Sequence, residues 1–261
     1  MSTLADRTVT ALGVEHARLA EVVGRLDDDQ LTGPSGASRW SVADVLSHLG
    51  SGAQITLAGV EASVRGGTVP DGFHQSVWDR WNALPPREQA EGFVAADAEL
   101  VARFEALDPD ERERLRLPFR RVPAPITVAA FAGMRLDELA LHAWDVRVAL
   151  DPRATIATTT ATVLLEHLSG DLAFLLGFLG RAEALAEPVA LDLVGTGLAL
   201  VVADTVTLVA APAPTTATFT GGADAVLRLL TGRLHPGHTP RAVTVTGATS
   251  LEAVRAVFPG F

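Results

Sequence analysis

The spacing of apolar residues changes its period once along this chain, and that change limits what the chain can fold into. Up to about residue 181, apolar side chains recur every three to four positions, the spacing of helices buried along one face. Beyond Pro188 the run "VALDLVGTGLALVVADTVTLVA" alternates with a period of two: Val189, Leu191 and Leu193, then Leu198, Leu200 and Val202, then Val206 and Leu208. That alternation fits short antiparallel strands with one face buried. The chain has 261 residues, 48 % of them apolar, which is enough material for a core in each part. The fold class expected is α+β: an N-terminal four-helix bundle followed by a small α+β domain.

Four long helices are expected in the first part. Leu4, Val9, Leu12, Leu19, Val22, Val23 and Leu26 mark the first, over residues 1–26, and "DDDQLTGPSGAS" (27–38) breaks it with Gly and Pro. "SVADVLSHLG" opens the second, with Ser41 and Asp44 in the Ser-x-x-acid capping arrangement. Val45, His48, Gly52 and Ile55 share one of its faces, and it runs to about Val64, where "RGGTVPDG" stops it. Pro86 suits the first turn of a third helix over 86–107. "VPAPI" at 122–126 interrupts again, the fourth helix starts near Thr127 or Ala130, and "DPRA" at 151–154 ends it. This outlines a bundle over 1–155. A segment over 156–187 adds a leucine-rich fifth helix at 159–181 and a linker, and the small domain occupies 188–261. In that domain "TTATFTGG" and "AVTVTG" read as further strands and "ADAVLRLLTGR" and "TSLEAVRAVF" as helices, the last with a Thr249–Glu252 capping box.

Composition removes several functions. The formal net charge of −10 gives no counterion-release advantage on nucleic acid, so neither DNA nor RNA is expected as a partner. "ERERLRLPFRR" at 111–121 begins with alternating signs and reads as a solvated connector. Cysteine is absent, which excludes disulfides, a thiolate nucleophile and cysteine-based metal sites. The start "MSTLADRTVTALGVEH" lacks a basic region followed by an apolar run, so no secretion signal is expected. "DLAFLLGFLG" (171–180) is too short to span a bilayer. No membrane partner is expected, and the default location is the cytoplasm. "TGG" at 220–222 lacks the spacing and the lysine of a phosphate loop.

One stretch of the fourth helix resists a purely structural reading. In "RLDELALHAWDVRVAL" (135–150), Glu138 and His142 are four residues apart in a largely apolar segment. On a helix such residues lie about 40° apart at successive turns and can aim at one point. Taken alone, the pair fits an ordinary surface contact worth a few tenths of a kcal/mol. If buried, Glu138 requires a cation or hydrogen-bond donors, and a metal ion satisfies both side chains. Zinc accepts two histidines and a carboxylate while keeping a fourth position open. The third ligand must then come from another helix, and His48, mid-helix among apolar neighbours, is the candidate. Asp145, three residues beyond His142, is then an acceptor for a ligand imidazole or a helix-surface acid. Other histidines carry weaker signals. His235 and His238 in "LHPGHTP" read as loop residues, His74 as packing or loop, and His16 and His167 as structural. Trp40 and Trp144 read as core or cleft wall.

"SRWSVADVLSHLG" (38–50) together with "MRLDELALHAWDVRVAL" (134–150) resembles the mycothiol-dependent maleylpyruvate isomerase family, a branch of the DinB-like metal-binding helix bundles. The shared features are the Trp-Ser opening of the second helix, its mid-helix His-Leu and the Glu-x-x-x-His-x-x-Asp run. The C-terminal part is similar in position, and in "LLTGR" at 229–233, to that family's sterol-carrier-like second domain. The resemblance implies a metal triad of His48, Glu138 and His142 with a divalent ion, zinc foremost. It implies mycothiol, a cysteinyl sugar thiol, as cosubstrate, which agrees with a chain lacking cysteine. It also implies a second-domain arginine facing substrate, placed at Arg233 with Arg241 as the rival, and it groups Asp145 with Arg233 as a residue of the reaction. Residues that bind mycothiol are not assigned.

The activity so implied is cis–trans isomerisation. The cation activates the thiol, the thiolate adds to an electron-poor double bond, the resulting single bond rotates, and expulsion of the thiol restores the alkene. A dicarboxylate substrate calls for a cationic clamp such as Arg233. A mycothiol S-transferase acting on another electrophile shares the first step. A hydrolase using metal-activated water and a non-catalytic metal- or ligand-binding module are the remaining readings. The loop over 66–88, "GGTVPDGFHQSVWDRWNALPPRE", is a candidate lining of the substrate entrance, and the assembly expected is a monomer or weak dimer.

Overall fold

A computed structural model describes residues 2–117 and 124–260. The chain divides into two compact units, Met1–Ala154 and Thr155–Phe261. Residues 118–121 of the expected connector and 122–123 of the expected break lie outside the described residues.

The first unit is built on four long helices, α1 (Leu4–Val23), α3 (Val42–Val64), α5 (Pro86–Glu105) and α7 (Val128–Leu150). Each starts where side-chain chemistry favours it. Thr3 caps α1 and Ser41 caps α3, both in capping boxes closed by Asp6 and Asp44. Pro86 occupies the first turn of α5, where its missing N–H costs nothing, and Thr127 accepts from the Ala130 N–H to cap α7. Helix α3 packs on α5 and α7, and α1 packs on the same two, so α1 and α3 stand at opposite corners of the bundle. Leu12, Leu19, Leu46, Leu49, Phe93, Leu100, Phe104, Leu136, Leu139 and Trp144 fill the space between them.

Three short helices link this frame: α2 (Asp28–Thr32), α4 (Phe73–Asn82) and α6 (Pro109–Arg114). The segment read as a loop over 66–88 therefore contains two turns and more of helix. Its anchor is Trp81, whose ring lies against Gly50 of α3; a Cβ at Gly50 would come within 2.1 Å of that ring. Gln54 accepts the Trp81 indole N–H at 2.9 Å. The described part of the connector, 111–117, takes in the end of a short helix and a short strand. Arg112 of α6 pairs with Asp6 at 2.6 Å, and β1 (Arg116–Leu117) pairs antiparallel with β2 (Ile126–Thr127).

The second unit holds a five-stranded sheet of order β5-β4-β3-β6-β7. Its strands are β3 (Val189–Leu193), β4 (Leu198–Val202), β5 (Val206–Ala210), β6 (Ala217–Thr220) and β7 (Thr244–Gly247). The first three form an antiparallel meander, β6 runs parallel to β3, and β7 closes the other edge antiparallel to β6. The period-two residues Val189, Leu191, Leu193, Val206, Leu208, Ala217 and Phe219 are all buried. Helices α8 (Thr158–Leu168) and α10 (Gly222–Leu230) pack on each other. Segment 155–187 thus belongs with the sheet, so this unit starts earlier than the residue 188 expected from periodicity.

The fifth helix is shorter than its leucines suggest. It stops at Leu168, and after a turn at Ser169–Gly170 the chain resumes as a 3-10 turn (Ala173–Leu175) and α9 (Leu176–Leu179). The two helical pieces meet at 85°, and among the described residues no single helix is long and apolar enough to cross a membrane. The last helix, α11 (Leu251–Val257), is capped by Ser250, one residue after the expected Thr249. From Ser250 the third helical residue is Ala253, which has no carboxylate to close a box.

Candidate metal centre

His48 lies on the second turn of α3, and Glu138 and His142 lie on successive turns of α7. These helices pack together, and the three side chains meet between them. His48 Nε2 is 3.0 Å from Glu138 Oε2, and His142 Nε2 is 3.6 Å from the same oxygen. One ligand atom from each residue falls within 4.8 Å of the others, and among the described residues no fourth imidazole or carboxylate joins the group. The side chains of His48 and Glu138 are 39 % and 51 % exposed, so the cluster opens to water on one side.

The charge state suits a cation. Burial pushes the Glu138 carboxyl up, but the hydrogen bond with His48 and the electrostatic pull of His142, His48 and Arg135 outweigh it, leaving it at about 2. Water at the exposed side screens part of this, and the carboxylate is ionised at neutral pH either way. Asp145, one turn beyond His142, is 1 % exposed, and its Oδ2 lies 2.8 Å from His142 Nδ1. A proton on that Nδ1 leaves Nε2 with its lone pair directed at the cluster.

Two more side-chain groups surround the cluster, the first from a residue already read as core or cleft wall. Trp40, in the turn before α3, lies against both imidazoles, with ring centroids 5.0 Å from His48 and 5.7 Å from His142. A turn away from Glu138, Arg135 enters the core and donates to Asp97 of α5 at 2.6 Å and to the Leu49 carbonyl of α3 at 3.0 Å. His16 of α1 meets the other oxygen of Asp97 at 2.9 Å. A buried Arg–Asp–His group thus links all four long helices.

The remaining candidates are carried by other elements. Arg233 is half-buried in the second unit, in the turn after α10, with Nη1 3.4 Å from the Thr231 carbonyl. Gly232 before it has φ +69°, and a Cβ there would stand 2.3 Å from Gly260, so the turn accepts only glycine. Arg241 is exposed. His235 precedes the 3-10 turn Pro236–His238, and His238 ends it. Burial and the neighbouring His238, Arg255 and Arg233 hold the His235 imidazole below its ordinary value. His74 sits on α4, edge-on to Phe73 and Trp78. His167 is fully buried in α8.

Comparison with known proteins agrees with this architecture. Two crystal structures of the mycothiol-dependent maleylpyruvate isomerase, one of a histidine-to-alanine mutant, are similar in fold. The mutant structure gives a TM-score of 0.65 at 15 % identity and the other 0.63 at 16 %, each over 95 % of this chain and 98 % of that chain. Two uncharacterized proteins of Mycobacterium tuberculosis, MT0763 and Rv0738, are each 27 % identical over 153 residues, 54 % of this chain and 70 % of theirs. The profile of the mycothiol maleylpyruvate isomerase N-terminal domain matches residues 12–147, which include His48, Glu138 and His142 and just over half of the chain. This chain therefore belongs to the mycothiol maleylpyruvate isomerase family.

Proposed function

We propose that this chain is a metal- and mycothiol-dependent enzyme that isomerises an electron-poor cis double bond, with His48, Glu138 and His142 as the metal ligands. The observation that carries the reading is the convergence of three ligand atoms within 4.8 Å at a position open to solvent. Two imidazoles and one carboxylate are a zinc donor set, and three protein ligands leave room for an exchangeable fourth. A structural site would need a fourth protein ligand, so the donor count favours an enzyme over a metal staple. A divalent cation held there would lower the pKa of an incoming thiol and so supply a thiolate at neutral pH.

The chain's own residues do the rest. Glu138 stays ionised and supplies the negative charge that a dication needs beside the two imidazoles. Asp145 holds the His142 Nδ1 proton, which makes it a positioning residue for that ligand. The chain has no cysteine, so the nucleophilic sulfur must arrive on a separate molecule. Addition of the thiolate to one alkene carbon places the electron pair on the conjugated carbonyl group. The carbon–carbon bond, now single, rotates. Return of the pair expels the thiolate and leaves the trans alkene. Arg233 is proposed to clamp a substrate carboxylate through its paired N–H groups. The Arg233→Ala variant should then keep its metal content and lose about tenfold to a hundredfold in turnover, the value of a charged hydrogen bond; unchanged turnover removes the assignment.

The reaction class is tested by incubating metal-loaded protein with maleylpyruvate, with and without mycothiol, and following products by mass spectrometry. Conversion to fumarylpyruvate at unchanged mass, only with thiol, supports the isomerase. Stable thiol adducts of other electrophiles without isomerisation move the answer to an S-transferase. Turnover with metal and no thiol refutes both in favour of water activation.

A further inference from the structure

The two histidines of the candidate centre are held in different ways. His142 has an outer partner, the buried Asp145, 2.8 Å from its Nδ1. His48 has none of that kind: its hydrogen bond to Glu138 uses Nε2, the atom that faces the cluster. Among the described residues no hydrogen bond reaches its Nδ1. An imidazole fixed only through its ligating atom remains free to turn about its own side-chain bonds. The group that packs against it is Trp40, with centroids 5.0 Å apart and planes tilted by 45°. The same indole stacks on His142 at 5.7 Å and 30°, and the two imidazoles meet edge-on at 4.9 Å.

Trp40 is itself held at both ends. On one side its neighbour Ser41 caps α3, the helix that carries His48, and the Ser41 N–H donates to the Asp44 carboxylate at 2.9 Å. On the other side the turn folds back on itself. Ser35 donates to the Trp40 carbonyl from its backbone N–H at 3.0 Å and from Oγ at 2.8 Å. Gly36 then docks on α7, the helix that carries His142: its N–H donates to the Asp145 carbonyl at 2.7 Å. A Cβ at Gly36 would stand 2.9 Å from Asp145 Cα and 2.7 Å from a Val148 methyl, so no larger residue fits. The turn over 34–41 is thus pinned to both ligand-bearing helices. It docks on the backbone of the same Asp145 whose carboxylate orients His142.

We propose that Trp40 is a positioning residue of the metal centre, its indole holding the His48 ring by packing as Asp145 holds His142 by a hydrogen bond. The proposal rests on the metal reading above. Trp40 is 38 % exposed, so its loss opens no large cavity in the core and the bundle should survive substitution. Its effect should therefore fall on the metal.

Cobalt(II) is the probe, because its visible absorption reports ligand geometry, and chelator competition gives affinity. The Trp40→Ala and Trp40→Leu variants should bind Co(II) and Zn(II) roughly tenfold more weakly, the lower range for loss of an outer partner, with an altered Co(II) band. Trp40→Phe should restore both, since a flat ring remains. Far-UV circular dichroism monitors the fold. Wild-type affinity and band shape in W40A and W40L would overturn the proposal. So would a W40F variant as weak as W40A, or loss of helical signal in both W40A and W40L, which would make Trp40 a fold residue. If the wild type binds Co(II) no better than Glu138→Gln does, the metal reading itself fails and the proposal falls with it.

Discussion

Two carboxylate–imidazole groups sit in the same bundle and have opposite characters. In one, Asp97 is wholly buried and meets His16 and Arg135. In the other, Glu138 is half exposed and meets His48 and His142. The difference lies in what supplies the cation. Arg135 places a permanent positive charge 2.6 Å from Asp97, so the buried group is complete as it stands. Buried Glu15 has the same arrangement, with Arg147 at 3.4 Å and Arg18 at 3.6 Å. Among the described residues no arginine pairs with Glu138, which meets only the two imidazoles. Residue types alone therefore do not mark a functional site in this bundle. The mark is a carboxylate–imidazole set with three converging ligand atoms and one side facing solvent.

The comparison breaks most decisively at Glu138. The Glu138→Gln variant keeps the shape and removes the charge. It should lose metal binding by more than the roughly 10–100-fold that an outer partner is worth, and mycothiol-dependent turnover with it. Zinc at a hundredfold excess over its Kd should stabilise the wild type by about 2.7 kcal/mol and E138Q not at all. Equal stabilisation of the two, read by urea titration, would show that the open group does not hold the ion.

The buried group should fail in the opposite way. Arg135→Met leaves Asp97 charged in the core and should cost about 3–5 kcal/mol of folding stability. Replacing both partners, Arg135→Met with Asp97→Leu, should recover most of that loss, because the uncompensated charge is then gone. Double-variant stability no better than the single, measured by urea unfolding, would mean that the link between helices matters more than the charge balance.

How far each group could be read from sequence follows from how local its signal is. Glu138 and His142 are four apart on one helix, so half of the cluster is written within one turn, and His48 stands out as a polar residue on an apolar face. Asp97 and Arg135 are 38 residues apart, and each looks like an ordinary charge on the outer face of a helix until the helices are assembled. The long helices were legible for the same local reason: Ser41, Pro86 and Thr127 mark their starts. Helix α4 was not, since it begins at Gly72 with no side-chain cap and its two buried residues are separated by exposed ones. The meander of β3, β4 and β5 could be read from alternation and tight turns. The parallel pairing of β6 with β3 could not, because nothing within either strand names a partner some 26 residues away.

The smallest expected effect separates the two groups by pH. In the folded chain burial raises the Asp97 carboxyl, but the Arg135 charge and the His16 hydrogen bond outweigh it, so the net shift is below the ordinary value of 3.8. A carboxyl lowered by folding contributes stability that is complete above its unfolded value. That contribution is lost as pH falls below 3.8 toward the folded value. The groups facing Asp97 are Arg135 and His16. The stability difference between the wild type and Asp97→Asn should therefore hold steady from pH 7 to about pH 5 and then shrink, with a limiting slope near 1.4 kcal/mol per pH unit for one proton. Urea titrations of both proteins at several pH values measure it. A difference that stays constant down to pH 3 would mean that the Asp97 charge contributes nothing the amide does not, and the contrast between the buried group and the solvent-facing one would lose its electrostatic basis.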